Sequence, residues 1–540
     1  MVTMKLWTGW VQTNSPQNIQ QTEIAGEGEG NRFVPEDVPE INIQTEQTPY
    51  QEQQTSGPRA INRQIVEIET DVFYINIDAR GAGIARAALR EYPTDIDSPN
   101  DPFVLMEETR ETTFVSQGGL LSTQPAPTGD AQYLVNATKY KMADNQNELT
   151  VPFIWTDGGI EVTKTYQFTR GSHLVSVVYR VRNNTESNWS GRSYHQIKRN
   201  NPEESNMRFI YTYTGTVISD PENRYDKISF DDIKESPLAN DAKDGWIAVI
   251  QHYFLAALVP TDKESPHHFY TKALADEIYT SGLITPRLDI SPGEEKEFKE
   301  QIYIGPKNQT TLAGISEGLD LTVDYGWLWF LAKPLFWGLS KLYELTKNWG
   351  WSIILVTIFL KLFFYKLSAA GYRSMANMRR VQPRLVSLKE RYKDDRMRMN
   401  QAMMQIYKEE KINPLGGCFP ILIQIPVFIA LYWVLLESVE LRQAGFMLWI
   451  RDLSSPDPYF VLPLIMGITM FVQQKLNPAP LDPIQAKVMM VLPVVFTVFF
   501  SFFPAGLVLY WVANNALSIL QQWSIMRSLE KVGLGTKQNQ

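Results

Sequence analysis

Five apolar stretches in the last two-fifths of the chain constrain its fold more than any other feature. They cover residues 350–367, 417–437, 459–474, 488–503 and 505–523. A membrane-spanning helix needs about 20 apolar residues. The third and fourth stretches are shorter, which predicts helices with little tilt in a locally thinned bilayer. The sequence therefore predicts a membrane domain of five helices over residues 350–523.

The charges of the connecting loops predict how this domain is oriented. Residues 371–412 carry eleven Lys or Arg and five acidic residues, whereas residues 439–458 carry only Arg442 and Arg451 as basic residues. Basic loops stay on the cytoplasmic side of a membrane. We therefore expect the first loop and the basic tail, residues 524–540, in the cytoplasm. Five helices that end inside begin outside, so everything before them is predicted to be exported.

The part of the chain before the membrane domain has the opposite charge and the pattern of β-strands. Residues 324–540 carry 23 Lys or Arg and 13 Asp or Glu, a net charge of +10, which leaves −18 for the preceding residues. An acidic domain argues against recognition of a nucleic-acid sequence. Apolar and polar residues alternate over residues 73–78 and 175–181, which predicts antiparallel strands. We expect an α+β chain, with a large antiparallel β-sandwich over residues 60–320 before the helical domain.

Three shorter segments complete the predicted organisation. Residues 11–59 are rich in Gln, Thr, Glu, Pro and Gly and are expected to be a disordered linker. Residues 324–349 combine aromatic residues with lysines, so we expect an amphipathic helix on the membrane surface, kinked at Pro334. An exported domain needs a signal or anchor helix, and residues 1–10 are expected to be the remnant of one.

The predicted cytoplasmic loop is long enough for two helices, at about residues 374–393 and 396–411. Both helices carry a Met-rich apolar stripe. Such stripes either bind varied apolar partners or pack on each other as a helical hairpin. We expect a packed hairpin that contacts partners through its tip and its basic face.

One lysine, Lys361, lies inside the first apolar stretch, with Thr357 one helical turn before it and on the same face. A lysine at membrane depth costs about 2.5–3.5 kcal/mol on insertion scales and normally faces a protected polar space. The alternative is that it reaches the cytoplasmic headgroups, about 9 Å away, although Lys366 is better placed to do so. Polar residues recur near the middle of the other helices, at Gln424, Thr469, Thr497, Asn514 and Asn515. They either line a hydrated cavity with Lys361 or join helices by hydrogen bonds.

Three motifs resemble a known family. They are NPLGGCFPILIQIPVF at residues 413–428, LTVDYGWLWF at residues 321–330 and FPAGLVLY at residues 503–510. They closely resemble the YidC/Oxa/Alb family of membrane protein insertases, in its Gram-negative form with a large periplasmic domain. The resemblance extends from about residue 64 to the end of the chain.

The resemblance implies a supersandwich-like periplasmic β-sandwich and five helices around a hydrophilic groove that is open to the cytoplasm and to lipid. Lys361 stands where the family has an arginine, which keeps the charge but loses the planar guanidinium. With the polar residues above, the predicted groove comprises Lys361, Thr357, Gln424, Asn514 and Thr497. The predicted hydrophobic slide for a client helix comprises Phe428, Met466, Phe499 and Tyr510.

The function implied by the resemblance is insertion, folding and assembly of inner-membrane proteins, alone or with the Sec translocon, without an enzymatic reaction, cofactor or metal ion. The expected partners are nascent membrane proteins, the Sec translocon, membrane lipid, and the ribosome or targeting machinery at the hairpin and the basic tail. A multi-pass transporter or channel with a carbohydrate-binding sandwich is the alternative. Broken helices or an internal repeat are expected of a transporter, and neither is evident in the sequence.

Overall fold

The computed structural model describes residues 64–201, 212–392, 395–410, 419–477 and 483–537, which form one compact unit. The predicted helix remnant and linker, residues 1–10 and 11–59, lie outside this described part. Twenty β-strands are described, followed by most of the helices. The strands are β1 Ile65–Glu69, β2 Phe73–Asp78, β3 Gly83–Pro93, β4 Pro102–Glu108, β5 Thr113–Ser122, β6 Leu134–Val135, β7 Lys139–Lys141, β8 Glu148–Asp157, β9 Ile160–Thr169, β10 Leu174–Asn183, β11 Trp189–Asn200, β12 Gly215–Ser219, β13 Asp226–Ile228, β14 Ala239–Ala242, β15 Trp246–Ile250, β16 Phe254–Pro260, β17 His267–Ala273, β18 Ile278–Ile284, β19 Leu288–Ile290 and β20 Glu295–Pro306.

The strands form two sheets that enclose a common core. One sheet has the order β14-β17-β18-β11-β5-β4-β3-β2-β1-β7, with β19 also paired to β11, and the other has the order β13-β12-β15-β16-β20-β10-β9-β8-β6. All described pairs are antiparallel except β1 with β7. Ile75 of the first sheet and Val177 of the second belong to the same buried apolar cluster. The predicted antiparallel β-sandwich is therefore confirmed.

Strand β10 shows how the sequence pattern produces the sandwich. Its ladder pairs it with β9 on one side and β20 on the other. Successive side chains of a strand point to opposite faces of a sheet. Val175, Val177, Tyr179 and Val181 are accordingly all fully buried, and the alternation expected from the sequence over these residues is confirmed.

Ten α-helices are described. One lies within the β-sandwich, one follows β20, and the other eight follow in the last part of the chain. They are α1 Phe230–Glu235, α2 Gln309–Ile315, α3 Trp329–Thr346, α4 Trp349–Phe363, α5 Tyr365–Arg391, α6 Arg396–Glu409, α7 Phe419–Glu437, α8 Val461–Leu476, α9 Pro483–Phe500 and α10 Ala505–Lys537.

The first apolar stretch departs from the single helix that the sequence predicts over residues 350–367. Helix α4 ends at Phe363, and α5 leaves it at an angle of 69°. The backbone of Phe364 between them has φ −87° and ψ 10°, which is the bridge region rather than the helical region. Lys361 therefore lies in the last turn of α4, directly before the bend.

The length and the hydropathy of a helix decide whether it can span a bilayer. Within the described residues, no single helix reaches the length and hydropathy of a membrane span, whereas α4 and α5 reach them as a bent pair. Shorter apolar helical segments occur at Gln424–Glu437, Val461–Leu476 and Ala486–Phe500.

Helix α3 occupies the segment in which the sequence predicts a surface helix. It is continuous through Pro334. Ala332 and Leu339 are buried, whereas Trp329 and Trp337 are more than half exposed. One face is thus packed on the protein, and the aromatic residues of another face are free to contact the surroundings.

The predicted helical hairpin is formed by α5 and α6. Val381 and Leu385 of α5 are buried against Met403, Ile406 and Tyr407 of α6. Helix α5 begins at Tyr365, earlier than the expected residue 374, because the bend at Phe364 starts the new helix there.

Candidate functional site

A cavity of about 330 Å³ lies between α4, α5, α7, α8, α9 and α10. Lys361 is the only charged residue among the described residues that line it. A second pocket of about 20 Å³ shares Lys361 and adds Thr357. The polar lining of the two includes Lys361, Thr357, Ser368, Gln424, Gln474, Asn514, Asn515 and Ser518.

The ammonium group of Lys361 is directed across the cavity to helix α10. Its Nζ donates a hydrogen bond of 2.7 Å to Ser518 Oγ, and Ser518 Oγ donates to Asn514 O at 2.7 Å. Ser518 is 3% exposed. Within the described residues, no carboxylate lies within ion-pair distance of Lys361. The positive charge is therefore held at the cavity by a neutral partner.

The polar lining also includes two side-chain amides and two buried atoms that lack a hydrogen-bond partner among the described residues. Gln424 Nε2 donates a hydrogen bond to Asn514 Oδ1, across from α7 to α10. Gln474 Oε1 and Trp511 Nε1 are buried without a hydrogen-bond partner among the described residues, and both residues line the cavity. Buried polar groups are normally paired with protein or water. The cavity wall therefore carries one unpaired acceptor, Gln474 Oε1, and one unpaired donor, Trp511 Nε1, within the described part of the chain.

Thr357 and Thr497 differ in position. Thr357 is 1% exposed and donates to Ile353 O at 2.7 Å, on the pocket that contains Lys361. Thr497 Oγ1 donates to Pro493 O at 2.7 Å, and Thr497 is not among the residues that line either pocket. A Cβ atom on Gly467 would lie 2.1 Å from Thr497 Oγ1, so Thr497 belongs to the close contact of α8 with α9.

The four residues of the predicted slide also separate into two groups. Phe428 and Tyr510 line the cavity, and their ring centroids are 6.0 Å apart. Met466 is fully buried in the core between the helices. Phe499 is 40% exposed and packs on Phe503 at 4.7 Å. The structure brings the first pair to the cavity and not the second.

A different polar cluster lies inside the β-sandwich. His195 Nδ1 is 3.1 Å from Glu300 Oε2, and His195 Nε2 is 2.7 Å from Ser116 Oγ. These are the residue types of a hydrolytic triad, but all three residues are 1% exposed. No solute reaches them, so we interpret the cluster as a polar part of the domain core. Within the described residues, no group of His, Cys, Asp or Glu is arranged to hold a metal ion.

Two family descriptions match consecutive parts of the chain. The YidC periplasmic domain matches residues 65–338, and the 60Kd inner membrane protein matches residues 341–532. The chain belongs to the YidC family of membrane protein insertases. The first match covers the β-sandwich together with α2 and most of α3, and the second covers the helices around the cavity.

Relatives of similar length support this assignment. The membrane protein insertase YidC of Thioalkalivibrio sulfidiphilus is 48% identical over 99% of this chain and 97% of its own length. That of Methylococcus capsulatus is 48% identical over 97% of this chain and 96% of its own. This YidC-family chain is a membrane protein insertase of the inner membrane that acts on membrane proteins. Its activity is not that of an enzyme, and no support is found for the transporter alternative.

Two solved structures are similar to parts of the chain, both with TM-scores below 0.5. A crystal structure of an active YidC insertase with the first transmembrane domain resolved is 18% identical, with a TM-score of 0.40, and covers 85% of this chain and 93% of its own. A galactose mutarotase related enzyme from Lactobacillus acidophilus is 11% identical, with a TM-score of 0.31, and covers 44% of this insertase and 97% of its own chain.

Sequence reasoning missed several residues of the cavity in this YidC-family protein, among them Ser518, Gln474 and Trp511. Ser518 lies four residues after Asn514, so a helical spacing places both on one face and is a signal that identifies Ser518. Gln474 and Trp511 carry no such signal. Glutamine near a helix end and tryptophan in an apolar run both have common structural explanations, and only the packing of the helices turns these two towards the cavity.

Proposed function

We propose that the cavity around Lys361 receives the polar tail of a client protein, while the client's apolar helix passes Phe428 and Tyr510 and leaves sideways into lipid. The decisive observation is that Lys361 lies in the cavity without a carboxylate partner among the described residues. A buried charge normally has an opposite charge beside it. Here the hydrogen bond to Ser518 leaves the charge of Lys361 available to a client.

The polar cavity and the surrounding lipid make separate contributions to the free energy of insertion. A polar tail loses hydration when it enters a membrane, and the ammonium and amide groups of the cavity replace part of that hydration. The attraction favours acidic or neutral tails over basic ones. Burial of the client's apolar helix in lipid yields about 0.8 kcal/mol per CH₂. This free energy moves the tail without nucleotide hydrolysis.

Site-specific photocrosslinking tests the proposal. A photoreactive residue at Thr357 or Tyr510 should crosslink to a nascent membrane protein during insertion, because both residues lie on the pockets. The same residue at Leu464, on α8 and 58% exposed, is the control and should give weak crosslinks. Crosslinks only to small solutes would favour transport instead, and equal yields at all three positions would contradict a defined client path.

We further propose that the β-sandwich lies in the periplasm and that the α5–α6 hairpin and the C-terminal tail lie in the cytoplasm. The charge difference between residues 371–412 and 439–458 supports this orientation. Cys418 is the only cysteine of the chain, so its replacement by serine gives a background for single cysteines. An impermeant thiol reagent added outside should label Leu134→Cys and spare Met397→Cys, residues that are 71% and 74% exposed. The reverse pattern would overturn this orientation.

The proposed surfaces for larger partners and for lipid are α6 and α3. Met397 and Arg398 of α6 are largely exposed, which suits contact with the ribosome or targeting machinery. Trp329 and Trp337 of α3 suit the headgroup region. The Sec translocon is proposed as the membrane partner. Arg398→Glu should weaken cosedimentation of the reconstituted protein with ribosomes, whereas Trp337→Ala, on the surface proposed for lipid, should leave cosedimentation unchanged. Unchanged cosedimentation of Arg398→Glu would remove α6 from the ribosome contact.

A further inference from the structure

The chain that follows α7 docks on the end of the β-sandwich. Val439 is 3% exposed and belongs to the apolar core of the sandwich rather than to that of the helices. One residue before the end of α7, the carbonyl oxygen of Leu436 accepts a hydrogen bond of 2.9 Å from His252 Nε2. The end of α7 is therefore held by a domain that precedes it by more than a hundred residues.

An ion pair is buried at this contact. Lys307, directly after β20, donates from Nζ to Oε2 of Glu437, the last residue of α7, at 3.0 Å. Their side chains are 2% and 4% exposed. Both charges have lost their hydration, so each depends on the other, and removal of one leaves the other buried and uncompensated.

Two neighbouring polar contacts join the same two segments of the chain as the ion pair does. Asn308 Nδ2 donates to Glu440 Oε1 at 2.9 Å, and Tyr325 Oη lies 3.3 Å from Ser438 Oγ. We call these contacts, together with the ion pair, the junction clamp. Its six residues are Lys307, Asn308 and Tyr325 on one side and Glu437, Ser438 and Glu440 on the other. The first three belong to the segment that joins the β-sandwich to α3.

The junction clamp acts on a helix that lines the cavity. Glu437 and Gln424 are both on α7, separated by about 20 Å at 1.5 Å per residue. Gln424 and Phe428 line the cavity from this helix. Helix α7 thus joins Glu437 to both cavity residues, with Pro426 inside the helix between Gln424 and Phe428.

We propose that Lys307 and Glu437 are positioning residues for insertion, and that their buried ion pair sets the position of α7, and with it of Gln424 and Phe428, at the cavity. This inference rests on the proposed function of the cavity. The β-sandwich thereby acts on insertion through its junction with the helices rather than through a binding site of its own.

The test uses purified full-length insertase in lipid vesicles, with a single-span client that has a charged tail. Insertion and crosslinking from a photoreactive residue at position 428 are measured per molecule of insertase with a protease-resistant β-sandwich. Glu437→Gln and Lys307→Met should each lower both values at least fivefold. The double variant Lys307→Met with Glu437→Leu removes both buried charges, so it should return both values to within twofold of the unaltered protein.

An exposed ion pair between the same two parts of the chain is the matched control. Arg451 Nη1 lies 2.6 Å from Asp97 Oδ1, with side chains 59% and 69% exposed. Arg451→Gln with Asp97→Asn should change insertion less than twofold, because exposed pairs contribute little.

Three outcomes would overturn the inference: full insertion by both single variants, lower insertion with unchanged crosslinks from position 428, or no recovery in the double variant. A failure of the proposed function gives a different result, because the unaltered insertase would then form no crosslinks from position 428. Crosslinks that form but do not respond to Glu437→Gln contradict the positioning role alone.

Discussion

Lys361 Nζ and Ser518 Oγ are joined by a hydrogen bond of 2.7 Å between α4 and α10. The two residues are 157 positions apart in the chain. Ser518 in turn donates to Asn514 O, so the oxygen that accepts from the ammonium is itself held in place. The pair holds a positive charge at the cavity wall.

Removal of this charge should impair clients whose translocated tail is acidic. Lys361→Ala is expected to lower their insertion about tenfold or more, because a tail then loses hydration without an opposite charge to replace it. Lys361→Arg keeps the charge and should retain most of the activity. Insertion of clients with and without tail charges, measured by protease protection in vesicles, checks this. Lys366→Ala is the control, since Lys366 is exposed, and equal insertion by unaltered protein and Lys361→Ala would remove Lys361 from the mechanism.

Loss of the Ser518 hydroxyl should lower insertion less than Lys361→Ala does, because Ser518 acts only by holding Lys361. The hydrogen bond orients the ammonium group but does not supply its charge, so Ser518→Ala should lower insertion by severalfold, and Ser518→Thr should restore it. Since the serine acts through Lys361, the double variant Lys361→Ala with Ser518→Ala should insert as poorly as Lys361→Ala alone. Additive losses in the double variant would mean that Ser518 contacts the client independently.

The close approach of α8 and α9 should depend on Gly467. A Cβ atom there would lie 2.1 Å from Thr497 Oγ1, and overpacking typically costs about 1–3 kcal/mol. Gly467→Ala should lower the thermal unfolding temperature in detergent, and Thr497→Ala in the same chain should recover part of the loss. Gly338→Ala is the control, because a Cβ on Gly338 meets nothing within 4 Å. A loss that Thr497→Ala does not relieve would place the strain elsewhere.

Stability should depend on pH through Glu440 of the junction clamp. Burial raises the pKa of Glu440 from 4.5 to about 7. At a pH between these two pKa values, Glu440 is protonated in the folded protein and ionised in the unfolded chain. The free energy of unfolding therefore falls as the pH rises from about 4.5 to about 7, and it is lowest above that range. Glu440→Gln cannot titrate and should gain thermal stability relative to the unaltered protein as the pH rises from 5 to 8. If the two proteins differ in thermal stability by the same amount at pH 5 and at pH 8, titration of Glu440 is not the cause.

Much of this architecture is determined by the sequence alone, because the determining forces act locally along the chain. Burial of alternate side chains produces strands such as β10, and long apolar runs produce α7 to α10. The isolated lysine of the first apolar run and the motif at residues 413–428 indicate an insertase. Each of these signals is present within one segment and requires no knowledge of its neighbours.

Other features were decided by the tertiary structure, because they depend on the rotation and depth of one element against another. Thr497 and Asn514 are both polar residues near the middle of a helix, yet only Asn514 faces the cavity, since the contact of Gly467 with Thr497 sets how α9 packs on α8. The bend at Phe364 follows from the backbone angles of one residue, which hydropathy does not report. Ser518 as partner of Lys361, and Lys307 as partner of Glu437, result from packing between distant segments, where no periodicity within either segment specifies the other.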